Sequence, residues 1–223
     1  MRPETLPVET LFANALTGSQ EAIYKLLEFC DDHPISRSEQ GILHQRATEA
    51  LAVHPNDSHA LMLLGVLYHE AQQQAVRYDE AIAYYERAIA LGHATAMAQR
   101  AYMYHKGKGG AVDIEKAKAL YDRAIDLGNV DAMANRARMY EKGEGGDVDF
   151  KAAQALYDRA IALGHASAMV NRAWMYQKGE GGRVNFGAAI KLYVQVLQQS
   201  QDKSEYEESL RQLVGLAKGL IQI

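Results

Sequence analysis

Residues 96–128 read AMAQRAYMYHKGKGGAVDIEKAKALYDRAIDLG, and residues 132–164 read AMANRARMYEKGEGGDVDFKAAQALYDRAIALG. A further copy starts at Ala168, so the same unit returns after 36 residues each time. A fixed period of about 20–50 residues is typical of a solenoid, in which each unit buries its apolar face only against its neighbours. The period therefore predicts one elongated repeat domain.

Each unit has the pattern of two helices separated by a glycine-rich turn. Apolar residues recur three or four positions apart in residues 94–106, as on one face of a helix. The segment KGKGGAV then interrupts the helix, and Asp113 is suited to cap the next one. Gly128 suits the left-handed backbone conformation that ends many helices. We therefore predict an all-α fold built of helical hairpins.

The repeat boundaries divide the chain into three regions. We predict an N-terminal helical cap with a degenerate repeat over residues 1–57 and a C-terminal capping helix over residues 202–223. Between them we predict four 36-residue repeats in residues 58–201, with bounds 58–93, 94–129, 130–165 and 166–201. Caps are expected because each end of a solenoid must cover an open apolar face.

Composition argues against several classes of partner. The net charge of −4 and the pI near 6.1 give no general attraction to nucleic acid or to an anionic membrane. The longest apolar stretch, residues 60–68, is too short to cross a bilayer, so no membrane insertion is expected. Cys30 is the only cysteine, and the first residues lack the apolar core of a signal peptide. We expect a cytoplasmic protein, or one secreted without a cleaved signal peptide.

The repeat unit resembles the Sel-one-like repeat family, a branch of the tetratricopeptide-type helical hairpins. The shared features are a tyrosine that ends the first helix, a Gly-x-Gly-Gly turn, a Leu-Tyr pair and a Leu-Gly end. The tyrosines are Tyr104, Tyr140 and Tyr176, and the turns lie at 107–110, 143–146 and 179–182. The resemblance implies a right-handed α–α superhelix whose first helices line a concave surface. It also implies an adaptor or scaffold, often bacterial, with a protein or peptide partner and no cofactor.

The tetratricopeptide pattern indicates which first-helix residues face that groove. Three of these positions hold amides, which pair with both the N–H and the C=O of an extended peptide. Three neighbouring positions hold residue types that are enriched at binding hot spots. The predicted partner-binding residues are Gln99, Asn135 and Asn171 from the amide row and Tyr102, Arg138 and Trp174 beside it. The alternative is a mixed solvated surface without a binding role.

The same pattern makes further predictions about the first helices. It also places Met62, Leu63, Val66 and His69 of the first repeat in the groove, with Ala98, His105, Ala134 and Glu141 of the next two and Val170 and Gln177 of the fourth. The tyrosines that end the first helices, together with Tyr68, are expected to fill the gap between repeat units.

Two recurring sets of polar residues have alternative interpretations. Arg100, Arg136 and Arg172 form either a row of cations for an acidic ligand or structural pairs with Glu86, Asp122 and Asp158. Strict recurrence at one repeat position favours the structural pairs. His93 and His165 share a repeat position with Asn129, so a turn residue is favoured over a metal ligand there.

No catalytic motif is recognisable, because the chain has no HExxH sequence and no Gly-x-Ser-x-Gly elbow. We therefore assign no catalytic residue, metal ligand or cofactor site. The predicted function is a non-enzymatic interaction scaffold that binds a peptide or a partner helix in its concave groove. Two alternatives remain open. One is a type IV-secreted effector of an intracellular bacterium, suggested by Glu205, Glu207 and Glu208 near the C-terminus, and the other is a hydrolase or glycan-binding relative.

Overall fold

The computed structural model describes residues 8–19, 22, 23, 26, 37–69 and 77–199. These residues form ten α-helices and no strand, which confirms the predicted all-α solenoid. The helices are α1 Val8–Leu16, α2 Arg37–Val53, α3 Ser58–His69, α4 Tyr78–Ala90, α5 Ala94–Lys106, α6 Ile114–Asp126, α7 Val130–Lys142, α8 Phe150–Ala162, α9 Ala166–Lys178 and α10 Phe186–Gln199. The predicted capping helix at 202–223 and Cys30 lie outside the described residues.

The chain divides into two compact units, Met1–Ala124 and Ile125–Ile223. In the first unit α1 packs against α2 and α3, and α2 packs against α3, α3 against α4, and α4 against α5. In the second unit α7, α8, α9 and α10 pack in the same sequential way. Each helix thus buries its apolar face mainly against its neighbours in the chain, as expected of a repeat protein.

Side-chain caps begin the second helices α6, α8 and α10 where the sequence predicts them. The carboxylate of Asp113 accepts a hydrogen bond from the Lys116 amide at 3.0 Å, and Asp149 accepts one from Ala152 at 2.9 Å. Asn185 does the same with Ala188 at 3.0 Å. These bonds satisfy amides that have no partner within the helix, and they set the residue at which each helix starts.

The core is built from alanine and tyrosine at fixed repeat positions. The recurring alanines of the second helices are fully buried, so neighbouring helix axes can approach closely. These alanines are Ala81, Ala88, Ala117, Ala124, Ala153, Ala160 and Ala189. Beside them lie Tyr85, Tyr121, Tyr157 and Tyr193, also from the second helices and almost completely buried.

The tyrosines that end the first helices contribute less to the core than those of the second helices. Tyr68, Tyr104, Tyr140 and Tyr176 were expected to fill the gap between units, and they are partly buried. Tyr68 stacks on Tyr84 of α4, and Tyr176 packs against a buried cluster that includes Tyr193. Each of Tyr104, Tyr140 and Tyr176 also lies under an arginine of its own helix four residues earlier.

We expect Ala160→Leu to lower the free energy of unfolding by roughly 1–3 kcal/mol, because the larger side chain overpacks a fully buried position on α8. Chemical denaturation of both proteins measures the difference. Ala155→Leu makes the same change at an exposed position of the same helix and should have almost no effect. Equal losses in the two variants would contradict the packing assigned to Ala160.

Candidate functional site

The six predicted binding residues lie on first helices in both units. Gln99 and Tyr102 lie on α5 in the first unit and are partly buried. Asn135 and Arg138 lie on α7, and Asn171 and Trp174 lie on α9, all in the second unit. Trp174, the only tryptophan of the chain, is 45% exposed.

Several other residues predicted to face the groove are instead buried. Met62, Leu63, Val66 and His69 on α3 are at most 4% exposed. Helices α1, α2, α4 and α5 all pack against α3, so little of its surface reaches solvent. Ala98, His105 and Ala134 are buried as well. The predicted groove positions are therefore accessible only in part.

On α7, Arg138 is held by a neighbour from its own helix. Its Nη2 atom donates a hydrogen bond to Asn135 Oδ1 at 2.9 Å, and both side chains are partly buried. Residues three apart lie side by side on a helix, which explains why these two meet. Within the described part of the chain, Arg138 makes no ion pair, unlike the buried arginines of α5 and α9.

A buried tyrosine hydroxyl contacts α7 and lies near α9. Tyr157 of α8 donates a hydrogen bond to Glu141 Oε2 on α7 at 2.9 Å. The Asn171 side chain on α9 lies near this hydroxyl and acts to lower the pKa of Tyr157. Burial raises the pKa of Tyr157 well above its ordinary value, and the Glu141 carboxylate raises it further. The phenol therefore stays protonated and remains a hydrogen-bond donor to Glu141 at any physiological pH.

Together these contacts define one polar surface in the second unit, which we call the α7–α9 face. It consists of Asn135, Arg138, Glu141, Asn171 and Trp174. Lys178 lies at its edge, with Nζ 5.3 Å from the centre of the Trp174 ring. The face thus contains a guanidinium, a carboxylate, two amides and an exposed aromatic ring, several of them fixed by internal hydrogen bonds.

The corresponding residues of the first unit form a different arrangement. Lys108 Nζ lies 3.1 Å from His69 Nε2 and 4.9 Å from the centre of the Tyr102 ring. Burial and, to a smaller extent, the charge of Lys108 lower the pKa of His69 to about 4. His69 is therefore neutral at pH 7 and can accept a hydrogen bond from the lysine ammonium. Tyr102 is thus partly covered by an internal cation.

The recurring arginines are structural, as the sequence favours. Arg100 Nε donates to Glu86 Oε1 at 3.0 Å, and Arg172 Nε donates to Asp158 Oδ1 at 3.0 Å. The guanidinium carbons of Arg100, Arg136 and Arg172 lie 3.7, 4.0 and 4.1 Å from the ring centres of Tyr104, Tyr140 and Tyr176. Stacking on an aromatic ring and pairing with a carboxylate offset the cost of burying these cations.

His93, Asn129 and His165 are the N-caps of α5, α7 and α9. His93 Nδ1 accepts from the Ala96 amide at 3.3 Å, Asn129 Oδ1 from Ala132 at 2.8 Å, and His165 Nδ1 from Ala168 at 3.1 Å. Histidine and asparagine interchange here because each offers an acceptor at the same distance from the backbone. The structure therefore confirms that these are turn residues.

A cavity of about 650 Å³ lies elsewhere in the second unit, between α8, α9 and α10. Its walls are mainly apolar, with Ile161, Ile190 and Leu192 among them. Arg172 also lines it, but its guanidinium is engaged by Asp158 and by the Tyr176 ring. None of the six predicted binding residues lines this cavity.

The sequence pattern placed Glu141 in the groove but did not predict its hydrogen bond with Tyr157. The signal was present, because a tyrosine recurs at this position of every second helix, as Tyr85, Tyr121, Tyr157 and Tyr193. The residue that it approaches from the first helix changes from repeat to repeat, and only in the third repeat is it a carboxylate. That contact joins two helices and is not visible in the spacing of either one.

Neither a metal-binding cluster nor a membrane-spanning helix occurs among the residues that the structure describes. Within 8–19, 37–69, 77–199 and the three isolated residues, no group of three or more His, Cys, Asp or Glu side chains is arranged to hold a metal ion. In the same part of the chain, no helix has the length and apolar character needed to cross a membrane.

Comparison with known structures finds proteins of the same fold. A Sel1 repeat protein from Oxalobacter formigenes superposes with a TM-score of 0.65 at 17% identity, over 90% of this chain and 87% of that one. A putative Sel1 repeat protein from Klebsiella pneumoniae gives 0.56 at 23% identity, over 93% and 99%. A protective antigen of uropathogenic Escherichia coli that displays an SLR fold gives 0.64 at 19% identity. That alignment covers 95% of this chain and 49% of the antigen.

Comparison with protein families matches the Sel1 repeat four times, at residues 58–93, 94–129, 130–165 and 166–195. No curated protein matches the chain. Proteins built of Sel1 repeats generally mediate protein–protein interactions, and the fold is typically a non-catalytic scaffold. The four matched segments cover more than half of the sequence, so this chain belongs to the Sel1 repeat family.

Proposed function

We propose that this chain is a non-enzymatic scaffold that binds a peptide or a partner helix through its first helices. The family suggests a protein partner, and the α7–α9 face is the part of the described surface best suited to receive one. Gln99 and Tyr102 of the first unit are proposed to contribute more weakly, since Tyr102 is already covered in part by Lys108.

The observation that supports this proposal most directly is the exposure of Trp174. An indole that is 45% exposed leaves apolar area in contact with water, and Trp is among the residues most enriched at binding hot spots. It lies one helical turn from Asn171, whose side chain lies near the Tyr157 hydroxyl. A rigid aromatic ring beside fixed polar groups offers a partner both apolar contact and hydrogen bonds at little entropic cost.

We expect affinity capture from a lysate of the source organism to retain a protein on the wild-type chain that the double variant Trp174→Ala, Arg138→Ala releases. Hot-spot residues of this kind typically contribute about 2 kcal/mol or more each, so the loss of both should weaken binding by roughly 700-fold. Thermal melts should show that both proteins remain folded.

The matched control is Arg159→Ala, Leu163→Ala, which removes an exposed arginine and an exposed leucine from the second helix of the same unit. It should retain the partner. If the control loses the partner and the double variant retains it, the binding surface lies on the second helices and the proposal is wrong.

A further inference from the structure

The α7–α9 face contains two opposite charges that are not neutralised within the described part of the chain. Arg138 donates to the neutral amide of Asn135, and Glu141 accepts from the neutral hydroxyl of Tyr157. Although they are three residues apart on α7, they make no ion pair with each other or with another described residue. Each charge is therefore held in place by a neutral group and is free to pair with a ligand.

Each of the two charges has its own neutral partner. Arg138 donates to Asn135, one turn nearer the start of α7, and Glu141 accepts from Tyr157 of α8. Residues three apart rise about 4.5 Å along a helix. Alternate side chains of an extended peptide lie on one side and are about 7 Å apart, so two of them can reach two long side chains that follow each other along one helix.

Only the third repeat has this pair of charges. The equivalent positions hold Val66 and His69 in the first repeat, Tyr102 and His105 in the second, and Trp174 and Gln177 in the fourth. Val66, His69 and His105 are also buried. The charge preference of a ligand is therefore decided by α7, whereas α9 supplies the aromatic ring and an amide.

From this charge complementarity we infer that the α7–α9 face selects an extended peptide segment bearing an acidic and a basic side chain two positions apart. The acidic side chain pairs with Arg138 and the basic one with Glu141, while a neighbouring apolar side chain lies against Trp174. This inference rests on the proposed function and specifies its ligand. Complementary charges of this kind favour one ligand over others by penalising like charges placed opposite each other.

The test uses an array of octapeptides with a constant apolar residue and with Asp or Lys at positions 4 and 6. We expect the wild-type chain to bind one of the two opposite-charge orders at least about tenfold more strongly than Asp-x-Asp or Lys-x-Lys. The double variant Arg138→Glu, Glu141→Arg keeps the net charge and should prefer the reverse order. A wild-type chain that binds like-charge pairs equally well, or a charge-swapped variant with an unchanged preference, overturns the inference.

Tyr157→Phe tests the positioning of Glu141 without altering either charge. It should reduce the preference for opposite charges, while binding through Trp174 persists. Trp174 also reports binding directly, because the indole emission of the only tryptophan shifts when a ligand covers the ring. An array that shows no preference, or no binding, overturns the inference. The capture experiment does not depend on charge order, so it decides the proposed function separately.

Discussion

Gly181→Ala is expected to lower the free energy of unfolding by about 3 kcal/mol, one of the largest losses from a single methyl group in this chain. Gly181 lies in the turn between α9 and α10 with a φ of +75°, where a side chain adds strain. A Cβ atom there would also lie 2.8 Å from the Phe150 Cβ atom at the start of α8. That atom is bonded to the backbone and cannot rotate away.

The turn cannot easily move to relieve this contact. Gln154 of α8 donates a hydrogen bond to the carbonyl of Glu180 at 2.9 Å, and this fixes the turn against the preceding repeat. The glycine is therefore needed both for its backbone conformation and for the close approach of two repeats. Urea denaturation of the wild type and the variant measures the loss.

Gly164→Ala is the matched control, because it has a similar φ of +83° but no atom within 4 Å of the added methyl group. It should lose about 1 kcal/mol from backbone strain alone. The difference between the two variants measures the packing of the turn against α8. Similar losses in both would show that the close approach of turn and helix does not contribute.

His93 is expected to lower the free energy of unfolding of the wild type by about 2 kcal/mol between pH 8 and pH 5, and His93→Asn should abolish this decrease. The pKa of His93 is lowered to about 4. Burial is the main cause and the nearby His59 also lowers it, while Asp57 acts in the opposite direction. Protonation of Nδ1 would also remove the acceptor that caps α5. His93 is therefore protonated only near pH 4 in the folded state, whereas it is protonated near pH 6.5 in the unfolded state.

The direction of the effect follows from this difference. Above pH 6.5 both states are neutral at His93 and the histidine costs no stability. As the pH falls from 6.5 to 4, only the unfolded state gains the proton, so the free energy of unfolding decreases. Below pH 4 both states are protonated and the loss is complete, at about 3 kcal/mol. His69 has a similarly lowered pKa and contributes equally in both proteins.

Asparagine is the appropriate replacement because Asn129 already caps α7 at the equivalent position. Urea denaturation at pH 8 and pH 5 should show a smaller decrease in stability for His93→Asn than for the wild type. His54→Asn makes the same change at an exposed site and should leave the wild-type decrease unaltered. A variant that remains as acid-sensitive as the wild type would show that His93 is protonated in the folded state at little cost.

Most of the fold follows from local rules that act within one repeat. The 36-residue period, the capping residues Asp113, Asp149 and Asn185, and the left-handed Gly128 are all recognisable from spacing and residue type. These features depend on neighbours within a few positions of the chain. Helix bounds, the all-α class and the position of His93 and His165 in turns could be predicted for that reason.

The candidate site could be predicted from the sequence only in part. The tetratricopeptide pattern predicted both Trp174 and Arg138 as groove residues. It also placed Val66 and His69 in the groove, but these two are buried because α1 and α2 pack against α3. It did not predict that the most deeply buried tyrosines come from the second helices. It placed Glu141 in the groove, but its hydrogen bond was not predictable because its partner, Tyr157, comes from another helix.

The periodic pattern of this chain therefore specifies which helices form and where they begin and end, because those properties depend on nearby residues. Whether a given first-helix residue is exposed, buried or held by a hydrogen bond depends on side chains that meet from different helices. Arg138 and Glu141 differ from the other repeats in residue type, but only the packing of α8 beneath α7 shows that both charges are left for a ligand.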